Sequence, residues 1–136
     1  MTQLEALQAA LAGEHAAMYG VGVAGGKLSG ARFKAATDCY EQHRDNRDHL
    51  SALVVAAGET PVAAEPAYDL PQAVTNAATA AALVLLIERR VAAVYGDLVE
   101  AAEQPAVRAF AIESLLAAAS AQVAWGSAPV AFPGAV

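Results

Sequence analysis

Hydrophobic positions recur at three- and four-residue steps in four separate segments, a spacing that lays one apolar stripe along each of four helices. In the first segment the stripe is Leu4, Leu7, Leu11, Met18 and Val21, and Glu14 occupies the step that the series omits. Thr2 with Glu5 makes a capping box at its start, and Gly25-Gly26 ends it after about Ala24. The second segment starts at Ser29-Gly30 and faces inward through Phe33, Ala36, Tyr40, His43, Arg47, Leu50, Val54 and Ala57, with Gly58 as its stop. His43 and Arg47 give that helix a wet middle on its buried side. Pro61, Pro66 and Pro71 then exclude regular helix from about 58 to 75. Thr75 or Asn76 caps the third helix, whose stripe is Ala80, Val84, Ile87, Val91, Val94 and Leu98, with Glu88 and Tyr95 on its shoulder. Pro105 opens the fourth, which faces inward through Phe110, Ser114, Ala117, Ala121 and Trp125 and ends at Gly126.

The predicted architecture is all-α: one domain over residues 1–136, an up-down four-helix bundle of two helical hairpins joined by a long Pro-containing crossover. The fourth helix carries a second apolar row, Ile112, Leu116, Ala119 and Val123. A bundle needs only one buried stripe per helix, so a homodimer through Ile112, Leu116 and Val123 is expected. The tail from about 127 to 136 is too apolar for a solvated end, and Phe132 is expected to pack on the bundle or a neighbour. Ala16-Ala17-Met18-Tyr19-Gly20 and Ala92-Ala93-Val94-Tyr95-Gly96 match at corresponding depths of helices one and three, a faint echo of a doubled hairpin.

Composition narrows the function classes. With 57% hydrophobic residues over 136 positions, the chain can close one core, and its alanine content favours helices that approach closely. A net charge of -6, with basic residues scattered, excludes a phosphate-binding surface and hence a nucleic-acid partner. The apolar run from Ala77 to Ile87 stops at Glu88-Arg89-Arg90, so no membrane partner is expected. The N-terminus is amphipathic rather than a signal peptide, and Cys39 stands alone as a small core residue of a reducing compartment. These features predict a cytoplasmic protein.

Helices one to three each place polar groups at mid-length: Glu14, His43 with Arg47, and Glu88. Helix four adds only Ser114, because Glu113 lies about 90° from its stripe. A buried carboxylate must be paired, protonated or bound to a metal. One reading is therefore a metal site on Glu14, His43 and Glu88, holding iron or another divalent metal. The other, preferred here, needs no cofactor: an ion-pair network in which Arg44 or Arg47 neutralises Glu14 and His43 or Tyr19 completes the hydrogen bonds. His15 sits at the boundary of the same face. A third possibility is a small-molecule pocket beneath the crossover, lined by Tyr68, whose ligand the sequence does not identify.

Leu7 to Ala17, His43-Arg44 with Arg47-Asp48, Glu65-Pro66-Ala67-Tyr68-Asp69-Leu70-Pro71, Glu88, Trp125 and Ala131-Phe132-Pro133-Gly134 together resemble the actinobacterial ferritin-like domain family of unknown function. The resemblance covers nearly the whole chain and implies a ferritin-like four-helix bundle with a long central crossover. Ferritin-like proteins build a di-iron site from a Glu on helices one and three and Glu-x-x-His on helices two and four. Here Glu14 and Glu88 match the lone carboxylates. The other motifs fall on Glu41-Gln42-His43-Arg44 and Glu113-Ser114-Leu115-Leu116, where arginine and leucine replace the required histidines. The expected function is accordingly that of a non-catalytic dimeric bundle with a degenerate di-iron site, its central network comprising Glu14, His15, Tyr19, His43, Arg44, Arg47 and Glu88. The alternative is a metal-binding protein or metal-dependent oxidoreductase using Glu14, His43 and Glu88.

Overall fold

In the computed structural model, which describes residues 1–135, the chain folds into four helices with no strand among the described residues: α1 (Gln3–Gly25), α2 (Gly30–Ala56), α3 (Ala77–Ala101) and α4 (Pro105–Ala124). Local chemistry sets their ends. The Thr2 side chain accepts from the Glu5 backbone while the Glu5 carboxylate accepts from the Thr2 backbone, closing the capping box that starts α1. Asn76 and Thr79 make the equivalent pair before α3. Gly58, with φ of 85°, lets the chain turn away beyond α2 in a conformation other residues resist.

Contacts between residue pairs fix the directions. Gly13 faces Val94 while Gly20 faces Ile87, Glu14 meets Asn46 while Gly22 faces Tyr40, and Tyr95 packs on Phe110 while Gln122 reaches the Glu88 carbonyl, so α1 runs antiparallel to α2 and α3, and α3 antiparallel to α4. α2 and α3 are therefore parallel, and the chain must travel the length of the bundle between them. The crossover does so along α1. Gln8 holds Thr60 and Val62, His15 holds the Val62 carbonyl, and Tyr19 packs against Tyr68 with ring centroids 5.6 Å apart.

α1 packs on α2 and α3, and α3 on α4, whereas α2 and α4 touch sparsely. Small residues make the α1–α3 approach possible. A Cβ on Gly20 would lie 2.5 Å from Ile87 Cδ1, and one on Gly13 would lie 3.3 Å from Val94. The α2–α4 seam is closed near its two ends, by His49 stacked on Phe110 at 4.2 Å and by Arg32 over the Trp125 ring at 4.7 Å. Between them it stays open.

Three expectations are corrected. On α2 the buried series is Ala36, His43, Asn46, Leu50 and Val54, while Phe33, Tyr40 and Ala57 are exposed. The stripe leaves His43 by a three-residue step to Asn46, a neutral amide that is cheaper to bury than the guanidinium one position on. On α4 the inward row is Val107, Ala111, Ser114, Ala118, Gln122 and Trp125, rotated from the expected one. Phe132 is 81% exposed and so does not pack on the bundle of its own chain, where the tail docks through Gly134, whose added Cβ would lie 2.6 Å from the Ala92 carbonyl oxygen. α4 has the length and composition to cross a membrane, and only 28% of that stretch is buried here. It carries Arg108 and Glu113 on exposed positions and packs along α3.

Candidate functional site

At mid-bundle the helices deliver Glu14 from α1, Cys39, His43 and Asn46 from α2, and Glu88 and Tyr95 from α3. On α2 the spacing of 39, 43 and 46 places all three side chains on one face. Glu14 is fully buried, and both its oxygens are occupied. Oε1 accepts from the Tyr95 hydroxyl at 2.6 Å and the Asn46 amide at 3.0 Å, while Oε2 lies 2.5 Å from His43 Nδ1. Gln42 in turn donates to Asn46 Oδ1, which fixes the amide so that its nitrogen faces Glu14.

The other ring nitrogen, His43 Nε2, lies 2.7 Å from Glu88 Oε1, which also accepts from the Cys39 thiol at 2.9 Å. Each ring nitrogen thus faces a carboxyl oxygen, the arrangement that favours an imidazolium with both N–H groups donating. Burial works against its charge, but the hydrogen-bonding neighbours Cys39, Glu14 and Glu88 and the negative charge of Glu14 outweigh it and push the His43 pKa up to about 12. Burial and the adjacent Glu88 carboxylate hold Cys39 as a thiol, its pKa raised. Burial and the Glu14 charge likewise raise Tyr95, which stays a phenol and donates.

The cluster is reached through the open α2–α4 seam, a cleft of about 450 Å³ lined in part by Cys39, His43, Asn46, Glu88, Ser114 and Trp125. Glu88 Oε2 makes no hydrogen bond among the described residues, yet no buried side-chain oxygen or nitrogen there lacks a partner. That oxygen is therefore not fully enclosed, and Glu88 lines the cleft. A separate pocket of about 140 Å³ lies under the crossover, between α1 and α3, lined by Gly13, Gly20, Tyr68, Leu70 and Arg90 among others.

Of the residues expected at the centre, the structure brings together Glu14, His43 and Glu88. It places the others elsewhere. Arg44 is exposed and lies 3.7 Å from Asp45, and Arg47 is turned aside onto Asp48 at 2.8 Å. A guanidinium in the core would need several acceptors that the filled network does not offer. Tyr19 and His15 face the crossover rather than the centre. The proposed metal triad is regrouped for a geometric reason: the His43 ring lies between Glu14 and Glu88, so those three do not converge. The ligand atoms that converge, all within 4.8 Å of one another, belong to Cys39, His43 and Glu88.

Asn46 and Cys39 escape the sequence reading as site residues, although both lie one helical turn from His43 and share its face. Tyr95 is placed on a shoulder but reaches the middle, and buried Gln122 has no signal beyond its four-residue step from Ala118.

The sequence model of a domain family of unknown function, DUF4439, matches residues 6–136. Among solved structures, the crystal structure of rv2844, a conserved hypothetical protein from Mycobacterium tuberculosis, is similar, with 34% identity over 90% of this chain and 93% of that one and a TM-score of 0.88. A comparison with curated proteins finds no match.

Proposed function

This chain belongs to the DUF4439 family, and from that premise we propose that it is a ferritin-like bundle of non-catalytic, ligand-binding character in which a buried hydrogen-bonded network takes the place of a di-iron centre. The observation that carries this reading is the position of His43, whose two ring nitrogens reach Glu14 and Glu88 at 2.5 and 2.7 Å. Its ring fills the space between the two lone carboxylates and supplies the positive charge there. This replaces the arginine-based neutralisation expected from the sequence, since Arg44 and Arg47 pair with Asp45 and Asp48.

The di-iron donor set does not fit the residues present. Glu41 and Glu113, which match the carboxylates of the two Glu-x-x-His motifs, lie exposed on α2 and α4, turned away from the network. Glu14 has no oxygen left to offer. A twofold dimer belongs to the same reading, supported by Ile112, Leu116 and Val123, which are 42%, 58% and 46% exposed along one line of α4. So does a reducing cytoplasmic location, supported by Cys39, a free thiol.

Anaerobic loading with Fe(II) followed by oxygen tests the reading. The expected result is iron oxidation no faster than in buffer and no oxo-bridged diferric absorption. Two irons per chain with that absorption would overturn it.

A further inference from the structure

We propose that the α2–α4 cleft binds one zinc ion through Cys39 Sγ, His43 Nε2 and the Glu88 carboxylate. The inference rests on the reading of His43 as the bridge between Glu14 and Glu88, and adds a second state of the same bridge. Three observations converge on it. Cys39 and His43 stand one turn apart on the same face of α2, and their ligand atoms and a Glu88 oxygen all lie within 4.8 Å of one another. This spread can close around a tetrahedral ion whose bonds are about 2.0 to 2.3 Å long. Cys39, His43 and Glu88 all line the cleft, and Glu88 Oε2 has no hydrogen-bond partner among the described residues, so an ion has a path in and a carboxylate oxygen free to meet it.

The third observation lies behind the ligands. A metal-bound imidazole almost always donates its other N–H to a carboxylate, which fixes the ring and raises its basicity. Glu14 already holds His43 Nδ1 in that way, and Glu14 is itself held by Tyr95 and Asn46. The supporting shell is thus built before the ion arrives. The mixed sulfur, nitrogen and oxygen set suits zinc better than the harder magnesium or calcium.

Zinc binding displaces the protons carried by His43 Nε2 and Cys39 Sγ to solvent, so the bound set is an imidazole, a thiolate and a carboxylate around a divalent cation. Three protein ligands leave the fourth position of the ion facing the cleft.

Cobalt(II) is the probe, because cobalt bound to a thiolate shows a charge-transfer band in the near ultraviolet and intense visible bands when tetrahedral. Titrating the metal-stripped full chain with cobalt should produce both, saturating at one ion per chain, and zinc should abolish them. In Cys39→Ser the charge-transfer band should vanish, and in Glu14→Gln, where it stays folded by circular dichroism, zinc affinity should fall roughly 10- to 100-fold. A folded wild-type chain that gives no bands, or a Cys39→Ser variant that binds zinc as tightly as wild type, would overturn the proposal. Either result leaves the imidazolium bridge standing if both ring protons of His43 are still observed in the metal-free chain. Loss of those protons in the metal-free chain would instead remove the bridge itself.

Discussion

His43 Nδ1 lies 2.5 Å from Glu14 Oε2 inside a bundle where Glu14 has no exposure to solvent. The contact joins α1 to α2 by a hydrogen bond charged at both ends, where an isolated carboxylate would be several kcal/mol unfavourable. It also couples the two helices to α3, since the other side of the same ring meets Glu88.

Removing the charge of Glu14 should therefore cost far more than removing either arginine. Glu14→Gln places an amide nitrogen against the Tyr95 and Asn46 donors or against His43, and leaves the ring with Glu88 as its one charged partner; the expected loss is about 3 to 5 kcal/mol. Arg44→Ala and Arg47→Ala, whose partners are exposed aspartates, should each change stability by no more than about 0.5 kcal/mol. Urea unfolding of the three variants checks the ranking. Comparable losses for the arginine variants would put a guanidinium back into the centre.

The sequence makes the helices, the capping box, the crossover and the mid-bundle level of Glu14, His43 and Glu88 readable, because these follow from periodicity and from residues with strong local preferences. Which basic group neutralises Glu14 is not readable in the same way. His43, Asn46 and Arg47 lie within four residues on one helix, and a rotation of α2 by one position exchanges Asn46 for Arg47. That rotation is set by packing against α1 and by the open seam towards α4, neither of which leaves a pattern in the chain. Tyr19 and Tyr95 show the same limit: they occupy matching positions in the repeated Ala-Ala-x-Tyr-Gly motif, yet one packs on the crossover and the other donates to Glu14.

Tyr95→Phe isolates one donor of the network. It keeps the ring that packs edge-on against Phe110 at 5.9 Å and deletes the hydroxyl that serves Glu14 Oε1. The carboxylate oxygen is left with the Asn46 amide alone, at an expected cost of about 1 to 3 kcal/mol. Thermal or urea unfolding measures it, and a neutral or stabilising result would mean that the hydroxyl contributes nothing to holding Glu14.

The raised pKa of His43 makes stability depend on pH in a defined direction. Its contribution is fully present below the unfolded value of 6.5 and is lost as pH rises towards the folded value of about 12. Cys39 and Tyr95, raised from 9.0 and 10.0, add losses only at higher pH. Between about pH 7 and 9 the unfolding free energy should therefore fall by up to ~1.4 kcal/mol per pH unit, the slope for one proton. His43→Gln, if it folds, should flatten that slope. A wild-type profile flat over this range would mean that His43 is not held protonated.

The apolar line on α4 makes oligomeric state a separate question from the centre. Leu116, 58% exposed and flanked on its face by Ile112, is the position where a charge should disturb a twofold contact most. Sedimentation should show a dimer for the wild-type chain and a monomer with unchanged helicity for Leu116→Glu. A monomeric wild type at micromolar concentration would remove the dimer.

The most direct test reads the protons of one ring. With selectively nitrogen-labelled histidine and His43→Gln for assignment, long-range nitrogen–proton spectra of the metal-free chain at about pH 9, far above the ordinary histidine range, distinguish the forms of the imidazole. The bridge between Glu14 and Glu88 requires both His43 nitrogens to carry protons under those conditions. A His43 ring with one unprotonated nitrogen at that pH would contradict it.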